Sequence, residues 1–161
     1  MIWETLTMSV EFMLNASFTV QSQKHFEDIE MLIEHLEMNE EAEALAILKS
    51  YDFAKAADVF ESVLTPYSNY QPDNDPITMY LQTYDDSVDD MDISLNKETL
   101  KVAIDVEGQD HDAADYCSAL VLLLKAAGAL NLEAKARTNY WQACWSENKG
   151  SIELQLKEFE C

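Results

Sequence analysis

Carboxylates are the reactive groups this chain has in excess, and three stretches crowd them together: DNDP at 73–76, DDSVDDMD at 85–92 and DVEGQDHDAAD at 105–115. Clustered aspartates suggest a hard divalent cation as ligand. A calcium loop of the EF-hand type needs acids at alternate positions, a Gly at the sixth and a distal Glu. Asp110-His111-Asp112 lacks the third ligand and the Gly, so Asp110 or Asp112 reads as the cap of a following helix. DDSVDDMD reads as a solvated loop between strands. His25, His35 and His111 are far apart, match neither HExxH nor ExxH, and read as ordinary surface histidines. Cys117, Cys144 and Cys161 are an odd number without a CxxC pair or a zinc spacing. Cys117 reads as a small core residue and Cys161 as an exposed free thiol.

Nucleophilic and phosphate chemistry fare no better. No GxSxG is present, and no cysteine has a histidine nearby in sequence. Gly108, Gly128 and Gly150 are the only glycines and stand alone, which excludes a loop that cradles phosphates. Glu133-Ala134-Lys135 is the only nuclease-like fragment, and no upstream aspartate partners it. A net charge of −21 would also repel a phosphate backbone. The expectation is a protein without catalytic residues, cofactor or metal, and without direct contact to nucleic acid.

What remains is charge itself. EDIEMLIEHLEMNEEAE, residues 27–43, carries eight carboxylates (Glu27, Asp28, Glu30, Glu34, Glu37, Glu40, Glu41 and Glu43) and no lysine or arginine. As one helix it spans about 25 Å, or one charge per roughly 3 Å. A single DNA strand carries one phosphate per roughly 3.4 Å. Glu30, Glu34, Glu37 and Glu41 would form one row, each like-charged pair costing a few tenths of a kcal/mol. Asp85, Asp86, Asp89, Asp90 and Asp92 supply a second cluster, and Asp52, Asp58 and Glu61 extend the first.

The excess is local. Residues 25–115 hold 24 acids against four lysines, whereas 116–161 hold five acids and five bases. A halophilic surface would be acidic throughout and poor in lysine, yet nine of the ten basic residues here are lysine. An acidic surface that merely keeps the chain soluble is the plain competing explanation.

The elements that would hold these groups follow from periodicity. Residues 6–20 alternate, with Leu6, Met8, Val10, Phe12, Leu14, Ala16, Phe18 and Val20 on one face, the pattern of a half-buried strand. Residues 25–49 switch to helical spacing, with Phe26, Ile29, Leu32, Ile33 and Leu36 as the stripe and a break near Asn39. Asp52 would cap a helix carrying Phe53 to Leu64. ITMYLQTY, MDISL and TLKVAIDVE read as strands, the last two joined by a turn at Asn96-Lys97. A helix from about Asp112 to Ala127 is apolar nearly all round, with Gly128 past its end. NLEAKARTNYW and SIELQLKEF read as closing strands. The result is an α+β chain of order β-αα-βββ-α-ββ, a largely antiparallel sheet packed against helices. It reads as a single domain over 1–161, with the loop 65–76 as a hinge candidate. No apolar run is long enough to span a membrane and no signal peptide is evident, so a cytoplasmic protein is expected.

Together these features point to a non-enzymatic protein that binds and inhibits a basic, nucleic-acid-binding protein through a nucleic-acid-mimicking acidic face, by analogy of charge with phage anti-restriction and anti-CRISPR proteins. An immunity protein that neutralises a basic toxin or nuclease is the alternative, and would also need aromatic anchors. Trp141 and Trp145 are the candidates for that role, with YSNY at 67–70 a weaker one. A soluble domain with a small ligand or enzyme activity is the third class.

Overall fold

The computed structural model describes residues 11–51, 63–65, 75–109, 112–148 and 151–156, with side chains described up to residue 147. The expected strand start at 6–10, the Asp52 cap, nearly all of the helix to Leu64, most of the 65–76 loop with YSNY, and Asp58, Glu61, Asp110, His111, Gly150 and Cys161 lie outside the described residues.

Alternation makes the first strand. In β1 (Glu11–Thr19), Phe12, Leu14, Ala16 and Phe18 are buried and the residues between them are partly or fully exposed. β1 has become a central strand. It pairs antiparallel with β3 (Lys101–Gln109) on one side and β4 (Leu130–Thr138) on the other. β2 (Val88–Asn96), β5 (Gln142–Asn148) and β6 (Ser151–Leu156) complete a six-stranded sheet of order β2-β3-β1-β4-β5-β6, each pairing antiparallel. The chain is thus α+β. β3 and β4 run in the same direction on either side of β1, and α4 (Ala113–Ala126) links them.

α1 (Gln23–Glu37) starts at Ser22, whose hydroxyl accepts from the His25 N–H. Its stripe of Phe26, Ile29, Leu32, Ile33 and Leu36 is buried. Each such side chain contributes roughly 1.5–3 kcal/mol. That outweighs the few tenths lost to each carboxylate repulsion on the other face. The break falls at Asn39, which adopts φ +59° between α1 and α2 (Glu41–Leu48). α4 is buried on nearly every side, as its composition implied. Gly128 ends it at φ +89°, and its N–H donates to the Lys125 carbonyl.

Two expectations fail. ITMYLQTY is not a strand but most of α3 (Pro76–Ser87), although β-branched and aromatic residues fill it. Asp75 caps it by accepting from the Thr78 N–H at 2.7 Å, and Pro76 takes the first position. Tyr80 then packs its ring 5.0 Å from that of Tyr116 on α4. Local capping and this aromatic contact override strand propensity. The second failure is β5: the strand expected over NLEAKARTNYW ends at Trp141, and residues 142–148 form a further strand that the sequence reading does not assign. Thr138 Oγ1 accepts from the N–H groups of Tyr140 and Trp141, turning the chain sharply between the two strands.

One close approach ties α3 to the sheet. A Cβ on Gly108 would lie 1.6 Å from the Ser87 carbonyl oxygen and 2.8 Å from Phe12 Cε1. Only glycine lets the end of α3 cross β3 there, and that crossing delivers residues 85–92 to the sheet edge.

Candidate functional site

Residues 85–92 are not a solvated loop. Asp85 and Asp86 lie in the last turn of α3, and the rest form the start of edge strand β2. Asp89 sits where the β2–β3 register shifts, and Asp90 and Asp92 follow it. Strand alternation turns Met91, Ile93 and Leu95 toward the helices and Asp90 and Asp92 to the opposite side. Met91 and Ile93 pair with Val106 and Ile104, which are fully buried, yet are themselves only half-buried. The helix layer therefore stops short of the edge strand.

A groove of about 450 Å³ lies along that shortfall. Glu27, Glu30, Glu34 and Glu37 of α1 form its wall, and Met91 and Ile93 lie across from them, with Met31 and Ile33 also lining it. The first acidic cluster and the second thus meet at β2. They do not make one flat face. The α1 glutamates lie on the helix side of the strand and Asp90 and Asp92 on the other, so the acidity wraps around the sheet edge.

The row itself differs from the sequence reading. Glu41 falls beyond the Asn39 break and opens α2, so Glu27 replaces it as the fourth member. Four carboxylates over eleven residues of helix, about 16 Å, give one charge per roughly 4 Å. The resemblance of α1 to the phosphate spacing of a single strand is correspondingly weaker. Glu41 and Glu43 lie in the first turn of α2, where the helix dipole favours them. Two further candidates already have partners. Asp28 accepts from Lys24 and from the Tyr51 hydroxyl, at 2.7 Å for the latter. Its carboxyl is held below the usual range by the Lys24 hydrogen bond first, with Tyr51 also contributing, against partial burial. Glu40 lies 2.9 Å from His35 Nδ1.

Asp105, Asp89 and Glu37 accept from neutral donors. Asn15 Nδ2 donates to Asp105 at 2.6 Å, and Gln109 Nε2 donates to Asp89 at 3.2 Å. Tyr84 hydrogen-bonds Glu37, and burial, followed by the charge of Glu37, pushes the Tyr84 hydroxyl up to about 12. Burial is also the main reason the Glu37 carboxyl sits above its ordinary range, with the Glu34 charge adding to it and the Tyr84 hydrogen bond opposing. Across the strands, Asp90 faces Glu107 and Asp92 faces Asp105. Directly opposed like charges destabilise a sheet pair. Asp105 and Glu107 also belong to this edge; the sequence shows them as part of an acidic stretch, but strand alternation gives the side of a residue and not the register of its neighbour. Met31, Met91 and Ile93 were missed for the same reason.

Trp141 and Trp145 are corrected from anchors to core. They are 7% and 1% exposed, and the Trp145 Nε1–H donates to the Val63 carbonyl at 2.9 Å. Tyr140, between the strands, is the exposed aromatic of that segment at 78%. His25 is also no surface residue. It is buried, receives a hydrogen bond from the Gln21 N–H at Nδ1, lies 2.7 Å from the Ala127 carbonyl at Nε2, and stacks on Tyr51. These partners match the neutral ring with its proton on Nε2. Cys144 is disulfide-bonded, and Cys117 is a buried thiol. Among the described residues, no three His, Cys, Asp or Glu side chains converge as metal ligands, and no helix is long and apolar enough to cross a membrane. Comparison of the chain with protein-family models, curated proteins and solved structures gives no match.

Proposed function

We propose that this chain is a non-enzymatic binding protein whose acidic edge occupies the cationic site of a nucleic-acid-binding protein and so inhibits it. The supporting observation is the edge itself. Glu27, Glu30, Glu34, Glu37, Asp90 and Asp92 gather around β2, and the acids hydrogen-bonded there meet amides and a phenol, not cations. A merely solubilising surface has no reason to oppose acids across paired strands, which costs stability. Opposite charge would speed encounter with a basic partner and lose that advantage as salt rises. The immunity-protein reading asked for aromatic anchors, and the burial of Trp141 and Trp145 removes those two from consideration.

The test is recovery of partners from lysate at about 0.1 M and about 0.5 M salt, using the wild type and a variant with Glu27, Glu30, Glu34 and Glu37 changed to Gln. The expected outcome is a nucleic-acid-binding protein recovered at low salt by the wild type alone, whose binding to DNA or RNA the wild type blocks. If the glutamine variant recovers the same proteins and inhibits equally, the row is only a solvated helix face.

A further inference from the structure

Resting on that reading of the acidic edge, we propose that the partner contributes an extended, lysine- or arginine-rich segment that adds to β2 as a further strand, its alternate side chains entering the α1–β2 groove.

Three features converge on this occupant. β2 is the outermost strand, and among the described residues it pairs only with β3. Its other edge is a template for an incoming backbone. The register is regular from Asp90 to Asn96, leaving seven residues for pairing beyond the irregularity at Asp89. A strand laid there would send every second side chain toward the helices and the others to the opposite side.

Each side offers a surface that suits a long cationic side chain. On the helix side, Met91 and Ile93 are half-buried and apolar, with Glu27, Glu30, Glu34 and Glu37 lining the same groove. The aliphatic stem of a lysine can cover the apolar floor while its ammonium reaches the glutamates. On the opposite side, Asp90 and Asp92 face Glu107 and Asp105, and cations there would relieve the cross-strand repulsion. A second copy of this chain is a poor occupant, because its own β2 would bring the same aspartates to the same edge. A neutral strand would leave the charges unrelieved. The edge is thus closed to itself and open to a basic segment, which is how specificity by repulsion operates.

The test uses the full chain and three capped nine-residue peptides that alternate lysine with threonine. One has an unmodified backbone. The second is N-methylated on alternate amides of one backbone edge, and the third on those of the other. Methylation preserves every charge, but a strand can pair only through an unmethylated edge. The unmodified peptide is expected to bind. One methylated peptide should bind at least tenfold more weakly than the other, and amide hydrogen exchange in residues 90–96 should slow on adding the unmodified peptide. Ile93→Lys should weaken binding at least fivefold while leaving the circular dichroism spectrum unchanged. Equal binding by both methylated peptides, unaltered exchange in β2, or tighter binding by a helical basic peptide of equal charge would overturn strand addition. If the glutamine variant of α1 still loses its protein partner while both methylated peptides bind alike, the acidic-edge function stands and only this inference falls.

Discussion

The two ends of the sheet handle charge in opposite ways. At the β2–β3 end, acids face acids: Asp90 opposite Glu107 and Asp92 opposite Asp105. Around β4 and β5 the charges alternate or pair. Glu133, Lys135 and Arg137 interleave on the exposed side of β4, and Lys125 reaches from α4 to Glu147 on β5 at 2.7 Å. Two carboxyls summarise the contrast. Glu37 is held above its ordinary range by burial and by the neighbouring Glu34, while its one offsetting contact is a phenol. Glu147 is also desolvated, which alone would raise it, but the Lys125 ammonium and the Leu132 N–H together bring it below. The same chain therefore neutralises a carboxylate where stability governs and leaves others uncompensated along one edge. Acidity here is a property of a place in the fold rather than of the overall composition.

The largest expected effect breaks the support of the acidic end. Gly108→Ala would force the Ser87 carbonyl off β3, and should cost about 3 kcal/mol or more in denaturant unfolding. If this variant unfolds like the wild type, the crossing is not what carries residues 85–92 to the edge. Next is the balanced end. Lys125→Met leaves Glu147 largely buried with only backbone donors, a loss of roughly 1–3 kcal/mol after allowance for its partial exposure.

Acid titration of stability should then separate the two ends by sign. The folded-state pKa of Glu147 lies below its unfolded value of 4.5, so its contribution is complete above 4.5 and is lost as pH falls through the lowered value. The folded-state pKa of Glu37 lies above 4.5, so its protonated form favours folding below 4.5 and that contribution is lost as pH rises through the raised value. Unfolding measured from pH 3 to 7 should show Glu147→Gln losing stability relative to wild type as pH rises, and Glu37→Gln gaining. Matching slopes would erase the distinction. The smallest effect is relief of cross-strand repulsion. Asp90→Asn with Asp92→Asn should stabilise by a few tenths of a kcal/mol per pair, a gain that shrinks with added salt. A destabilised double variant would mean that these aspartates hold structure rather than await a partner.

Much of the frame was legible because each signal was redundant. β1, the α1 stripe, the Asn39 break, the turn after Asn96 and the all-round apolar α4 each combined a period with a terminator. ITMYLQTY offered two conflicting signals, and the Asp75-Pro76 start was the better one. The site was only half legible. Eight acids in a row announced a charged helix, but which of them would find Lys24, Tyr51 or His35, and which would look across at Met91, depended on packing between distant segments. Burial of Trp141 and Trp145 was likewise a tertiary outcome. A strand-end tryptophan has the same local sequence whether or not Val63 lies over it.

The central position of β1 also sets a timetable. Its partners on one flank begin at Lys101 and on the other at Leu130, so about eighty residues must follow Thr19 before either side can be closed. At ribosomal rates of roughly 5–20 residues per second, that is on the order of 4–16 s during which an apolar strand has no sheet to join. The β2–β3 hairpin closes over a short loop and can form first. The hairpin is then the surface on which β1 can dock, and the carboxylates of β2 make the outer edge of that half-made sheet a poor template for pairing with other chains.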